Sequence, residues 1–363
     1  MKPKFCVLGA GNGGLAVAGH LVLKGFQTTI FNRSQFRLSA VRARGGIELE
    51  GAVEGFAPIE LATTDAGEAI READVLMVVV PANGHRFMAE RTAPHLRDGQ
   101  VVLLNPGRTG GAIEFRNVLR EEGCQADVMV AEAQTFIYAS RAINPAQVKI
   151  FRIKNSIPVA ALPAKDTTAV LTLVRQAFPE FVPALTVLNT SLDNIGAVFH
   201  PTLTILNAAR IENTRGDFQY YIEGNSPSAS LLLEALDRER VAVAKACGVD
   251  AISARDWLEL AYDASGSNLY EAMQNNEGYY GINAPPTLQT RYLTEDVPMS
   301  LVPIASLGEQ FGVPVPTFKA FIHLASLIHG NDYWAEGRTV ERLGIQNLSA
   351  EQLYLLVTSG GVW

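Results

Sequence analysis

The sequence predicts an α/β amino-terminal domain, doubly wound around a mostly parallel sheet over residues 1–190, followed by an all-helical domain over residues 191–363. Three observations lead there. In the first half, short continuous apolar runs alternate with helical patterns, as strands buried on both faces by crossover helices require. A glycine-rich turn, GAGNGG, separates the first apolar run from the first helical pattern. After Ser191, apolar residues recur at helical spacing through most of the remaining chain.

Taken in order, KFCVLG reads as the first strand. GGLAVAGHLVLKG reads as a helix closed by Gly25, a residue suited to a left-handed cap. QTTIFN is the second strand, and ADVLMVVVP, GQVVLLNPG and ADVMVAEA are further buried strands. GGAIEFRNVLREEG supplies a helix between the last two. From about Gln147 the texture changes: QVKIFRIKN and SIPVAALPA suggest an antiparallel hairpin, DTTAVLTLVRQAF a helix, and PALTVLNT a last strand. The helical half comprises SLDNIGAVFHPTLTILNAARIEN, SPSASLLLEALDRERVAVAKACG, SARDWLELAYD, LVPIASLGEQFG and TFKAFIHLASLIHG.

At 363 residues the chain suits two domains of moderate size, and 48% hydrophobic against 18% charged residues supports sizeable cores. A net charge of −7 argues against a nucleic-acid partner, which needs a basic face. Three cysteines, Cys6, Cys124 and Cys247, lie far apart, which fits a reduced, cytoplasmic location. MKPKF runs directly into a strand pattern, so no signal peptide is expected, and VLMVVV is too short to span a bilayer. A homodimer is compatible with the sequence.

GAGNGG places Gly9, Gly11 and Gly14 in GxGxxG spacing, with Asn12 and Gly13 between them. Between a strand and a helix this is a dinucleotide-binding turn of the Rossmann type: Gly9 for the tight turn, Gly11 for backbone approach to a pyrophosphate, Gly14 for close packing. The free N–H groups at the helix start favour the phosphates. Strand two then ends in FNRS, where an acid would hold the ribose of NAD. Asn32, Arg33 and Ser34 instead leave room for a 2′-phosphate, with Arg33 to pair with it or stack on adenine. The cofactor expected is NADP, with NAD possible. A solvated loop charge is the plainer reading of Arg33.

Of six histidines, His20 reads as structural, His95 as exposed, and His323 and His329 lack the spacing of a pair. No HExxH, EF-hand loop or Cys/His cluster occurs, so no metal is expected. His85, after a strand end in PANGHRF, could lie near the cofactor. His200 sits inside an apolar helical pattern directly before Pro201, which frees a carbonyl and bends a helix. Asn207 is seven residues on and near the same face. A satisfied core histidine is the plain alternative. RYLTEDV carries Arg291, Glu295 and Asp296 before another apolar helix, where capping would explain the acids. A His and an Asp brought together would form an acid/base pair.

These residues resemble the octopine/nopaline (opine) dehydrogenase family, in particular its bacterial norvaline-type members. The resemblance runs nearly end to end through GAGNGG, VVVPA, LNPG, AEAQTFIYASR, HPTLTILNAARIE, FQYYIEG, LDRERVAVAKA and RYLTEDV. It implies an amino-terminal Rossmann domain, an all-helical carboxy-terminal domain and an active site between them. It further implies reduction of the imine formed from a 2-oxo acid and the amino group of an amino acid. On this resemblance His200 is the catalytic histidine and Asp296 its carboxylate partner. Arg291 would hold the oxo-acid carboxylate, and Thr135 and Asn207 would contact substrate. Glu132 and Arg141 match charged positions of their motif, Arg141 as a structural ion pair. The nicotinamide would lie near Pro81 of VVVPA and Asn105 of LNPG. The chain departs from the norvaline-type members at strand two, where they carry an acid. Two rivals stay open: an NADPH-dependent 2-oxo acid reductase like ketopantoate reductase, which needs a lysine in the helical domain, and a non-catalytic NADP-binding sensor.

Overall fold

The structure, a computed structural model, describes residues 2–361. It divides into two compact units: residues up to Ser191 together with those from Leu355 onward, and residues Leu192–Tyr354. The last turn of the helix Ala350–Ser359 belongs with the first unit, where Gly360 lies against the ring of Pro163. A helical pattern alone does not say which core its apolar face will join.

The first unit carries twelve strands: β1 (Phe5–Leu8), β2 (Thr28–Phe31), β3 (Gly46–Gly51), β4 (Gly55–Pro58), β5 (Leu61–Thr63), β6 (Val75–Val78), β7 (Val101–Leu104), β8 (Met129–Ala133), β9 (Tyr138–Asn144), β10 (Gln147–Ile153), β11 (Ile157–Leu162) and β12 (Phe181–Pro183). Eight of them form one sheet in the order β12-β11-β8-β7-β6-β1-β2-β5. All neighbours run parallel except β11, which is antiparallel to β8. Every residue of β1, β6 and β7 is buried, which is why FCVL, VLMV and VVLL are apolar without alternation. Helices cover the sheet, and the left-handed Gly25 follows the first of them, Asn12–Leu23.

The hairpin expected from QVKIFRIKN and SIPVAALPA does not form. β10 pairs antiparallel with β9 and parallel with β3, in a second sheet ordered β4-β3-β10-β9. β11 joins the main sheet instead. The patterns differ as the positions do: β10 alternates, burying Val148 and Ile150 and exposing Lys149 and Phe151, whereas Val159–Leu162 of β11 is buried throughout. The second sheet lies against the helix Asn12–Leu23, where a side chain on Gly19 would collide with Leu49 of β3. PALTVLNT is strand only at Pro183, where β12 ends. Residues Val187–Leu192 are helical, the Thr186 hydroxyl accepts from the N–H of Leu188, and the last strand is β12.

The second unit is helical, and the described residues add one isolated β-bridge between Gln219 and Asn283. Its centre holds a buried charge. Arg240, fully buried, donates to Asp237 and to the carbonyls of Leu192 and Ile252, while Asp237 also accepts from the N–H of Ala254. Such a cation persists in a core only when its donors are satisfied. Among the described residues, no helix is long and apolar enough to cross a membrane.

Candidate active site

In the first unit the glycine turn has the geometry its spacing demands. Gly9 has φ +123°, and a Cβ there would lie 2.4 Å from the carbonyl oxygen of Val79. A Cβ on Gly14 would lie 1.9 Å from the Gly9 carbonyl oxygen, so only glycine lets the helix start against the turn. Gly11 differs: nothing lies within 4 Å of its Cβ position. The space above the first helical turn is open, and no acid occupies that turn. Gly13 and Asn12 complete the loop, Gly13 against the ring of Phe136.

FNRS lies beside it. The Asn32 Oδ1 accepts from the Ala10 N–H at 3.1 Å, and its Nδ2 donates to the Ser34 carbonyl at 3.1 Å. Asn32 therefore braces the glycine turn as well as marking the end of β2. Arg33 is exposed, its guanidinium 5.8 Å from the centroid of the Phe87 ring. Ser34 precedes the helix Gln35–Arg44 and makes no side-chain cap. Pro81 opens the turn Ala82–Gly84 after β6. Asn105, after β7, is 1% exposed, and its Oδ1 and Nδ2 find no hydrogen-bond partner among the described residues. A buried amide left so is costly unless a ligand completes it. The open space over Gly11, the unacidic strand end and the Asn105 amide all fit a nicotinamide dinucleotide.

In the second unit, His200 Nδ1 meets Asp296 Oδ2 at 2.8 Å. The carboxylate is fully buried and the imidazole 19% exposed. His200 stands in the helix Ile195–Leu206, with Pro201 inside it. Its carbonyl accepts from the Thr204 and Tyr220 hydroxyls at 2.8 and 2.7 Å. Asp296 is presented by an irregular segment, since Val297–Leu301 forms a π-helical turn. The Pro298 carbonyl would there look to residue 303 for a donor, but Pro303 has no N–H, and the backbone N–H of Arg338 donates instead at 3.0 Å. Asn194, at the start of the His200 helix, donates to the Ser300 hydroxyl at 2.8 Å and so ties the two segments together.

The chain matches two family models, ketopantoate reductase PanE/ApbA over residues 5–112 and the α-helical domain of NAD/NADP octopine/nopaline dehydrogenase over residues 183–329. It is 41% identical over 347 residues to an opine dehydrogenase of Arthrobacter sp. (strain 1C), covering 95% of this chain and 96% of that one. The chain belongs to the opine dehydrogenase family. It is an NAD(P)-dependent oxidoreductase acting on CH–NH bonds. Solved structures share the fold: octopine dehydrogenase with NADH and L-arginine (TM-score 0.82, 22% identity, 100% of this chain and 99% of that one) and yersinopine dehydrogenase with NADP+ bound (TM-score 0.74, 15% identity, 98% of each).

Within this member of the opine dehydrogenase family, the other candidate residues have varied settings. Arg291 begins the short helix Arg291–Thr294; its side chain is 60% exposed and its Nε lies 3.2 Å from Glu295. The Asn207 Nδ2 donates to the carbonyls of Leu203 and Gly224, fastening the helix end to the neighbouring turn. Thr135 accepts from Lys154 Nζ at 2.7 Å. Glu132 is fully buried and accepts from Thr190, Ser191 and the N–H of Ala112. That ties it to the start of the helix Gly111–Glu121. Arg141 is exposed on β9 and makes no ion pair among the described residues. His20 is buried against the Tyr138 hydroxyl at 2.6 Å, and His85 is buried at the head of the helix His85–Thr92.

The opine dehydrogenase motifs hide what surrounds His200. Tyr292 stacks on the imidazole at 4.2 Å, and Tyr221 lies 6.5 Å away. Tyr220 and Tyr221 are buried, and burial holds both phenols well above the usual tyrosine range, so they stay protonated. FQYYIEG and RYLTEDV contain these residues, but no spacing rule connects tyrosines some 70 positions apart to one histidine.

Proposed function

We propose that this chain condenses a 2-oxo acid with the amino group of an amino acid and reduces the resulting imine, with NADPH as the preferred reductant and His200 and Asp296 as the proton-handling pair. The observation that carries the reading is the 2.8 Å contact between the His200 ring and a fully buried carboxylate. An anion bonded to Nδ1 favours the charged imidazole and fixes a proton on that nitrogen, so exchange with substrate falls to Nε2. Balanced, the reaction is oxo acid plus amine plus NADPH plus a proton, giving secondary amine, water and NADP+.

His200 gives its proton to the oxygen that leaves as water when the carbinolamine collapses, and the positively charged imine is the better hydride acceptor. Asp296 keeps the ring oriented and stabilises its charge through that cycle. Bound through its pyrophosphate on the glycine turn, the cofactor would supply the hydride. Gly9, Gly11, Asn12, Gly13 and Gly14 would cradle the pyrophosphate, Pro81 and Asn105 would face the nicotinamide end, and Arg33 and Ser34 the 2′-phosphate, with Asn32 holding the turn. Arg291 would receive the oxo-acid carboxylate by exchanging Glu295 for a paired bond, and Thr135 would be a further substrate contact. Asn207 would act by fixing the helix end.

A matrix of 2-oxo acids against amino acids, followed by cofactor absorbance, tests the reading. Oxidation of NADPH should require one partner from each set. Turnover with oxo acids alone would instead favour a ketopantoate reductase-like reaction, and cofactor binding with no turnover in any cell of the matrix would favour a sensor.

A further inference from the structure

Tyr292 lies face to face with the His200 imidazole, ring centroids 4.2 Å apart and planes 20° from parallel. The same ring stacks on Tyr220 at 5.3 Å and 23°. Tyr220, fully buried, donates its hydroxyl to the His200 carbonyl at 2.7 Å and meets the Thr204 hydroxyl at 2.7 Å. Two stacked tyrosines therefore grip the histidine at both ends, one at the ring and one at the backbone. The hydrogen bond to Asp296 fixes one edge of the imidazole. A flat aromatic surface against the ring face adds a restraint on the tilt of its plane.

We propose that Tyr292 is a positioning residue for His200: its ring, rather than its hydroxyl, holds the imidazole in the plane from which Nε2 serves the substrate. The inference rests on the proton-handling role given to His200. Its chemistry is that of an aromatic stack, which also favours the charged ring over the neutral one. Misplacing a reacting group by about 1 Å costs up to roughly 10²-fold in rate, so the effect belongs in kcat rather than in substrate binding.

The test compares Tyr292→Phe, Tyr292→Leu, Tyr292→Met and His200→Ala by steady-state kinetics with both substrates varied. Tyr292→Phe keeps the stack and should hold kcat within about threefold of the unaltered enzyme. Tyr292→Leu and Tyr292→Met remove the flat face and should lower kcat by roughly 10- to 100-fold, with both KM values and the NADPH Kd little changed. If the leucine variant does not fold, the methionine variant, closer in length and more flexible, decides. Full kcat in either apolar variant, or a phenylalanine variant as slow as they are, overturns the proposal. His200→Ala separates the two claims: if it retains turnover, the role of His200 itself fails; if it is inactive while Tyr292→Leu is normal, only the role of Tyr292 fails.

Discussion

The imidazole of His200 and the carboxylate of Asp296 stand 2.8 Å apart although 96 positions separate them in the chain. The contact depends on two devices. The π-helical turn after Asp296 aims the carboxylate, and the Asn194–Ser300 hydrogen bond holds the two backbone segments in register. If the two side chains act as one acid/base unit, His200→Ala should lower kcat by roughly 10²–10⁴-fold. Asp296→Asn should damage the same step, and the double variant should be scarcely worse than the single ones. Steady-state rates for the three variants settle this; losses that add on the logarithmic scale mean that the residues work separately.

The glycine turn makes a contrast within six residues. Gly14→Ala would drive a methyl into the Gly9 carbonyl, so both thermal stability and cofactor binding should suffer. Gly11→Ala meets open space, so the melting temperature should stay within a degree or two while the cofactor Kd rises at least about tenfold. Calorimetric binding alongside thermal melts reads both. Unchanged affinity in Gly11→Ala would mean that the pyrophosphate does not lie over that residue.

FNRS should set cofactor choice. A charge-assisted bond from Arg33 to a 2′-phosphate is worth about 1.5–3 kcal/mol, which predicts at least about a tenfold preference for NADPH over NADH in kcat/KM. Arg33→Ala should remove most of it. Asn32→Asp retains an acceptor for the Ala10 N–H, loses the donor to Ser34 and adds a charge that repels the phosphate, so preference should move toward NADH. Initial rates with the two cofactors, measured side by side, decide; equal rates in the unaltered enzyme leave Arg33 as a loop charge resting on Phe87.

His20 gives the first unit a sensitivity to acid. Burial, with Lys24 nearby adding to it, lowers its pKa from 6.5 to about 4. The folded chain thus refuses a proton that the unfolded chain accepts between those values. The stabilisation is complete above about pH 6.5, falls as pH drops toward 4 and levels off below, at most about 1.4 kcal/mol per pH unit. Urea unfolding of the unaltered protein and of His20→Gln across this window should give a shallower pH slope for the variant. Parallel slopes would show that His20 titrates as an ordinary surface histidine.

Much of the fold was legible because the buried strands are uniformly apolar. FCVL, VLMV and VVLL have no other home than the centre of a parallel sheet, and GAGNGG locates the turn after the first of them. The second sheet was harder to see. IELEG alternates, burying Ile47 and Leu49 on one face, but it pairs with β10 about 100 residues away, and local pattern carries no partner information. PALTVLNT shows the same limit: its Val and Thr content suits a strand, yet the Thr186 hydroxyl and tertiary packing make it helical. At the site, His200 and Asp296 were marked by family motifs. Tyr292 was not, because a stacking contact leaves no spacing in the sequence. Nor does a motif reveal that Asn207 spends its amide on two carbonyls.

The central claim is that hydride from the cofactor reaches a carbon bonded to nitrogen. The direct measurement uses NADPH deuterated at the transferable C4 position, with pyruvate and a mixture of amino acids, and mass spectrometry of the products. The account predicts a secondary amine whose mass is the sum of both substrates less one oxygen, with one hydrogen replaced by deuterium, the label lying on the former carbonyl carbon. Deuterium recovered instead in a 2-hydroxy acid, with the amino acids untouched, would contradict it.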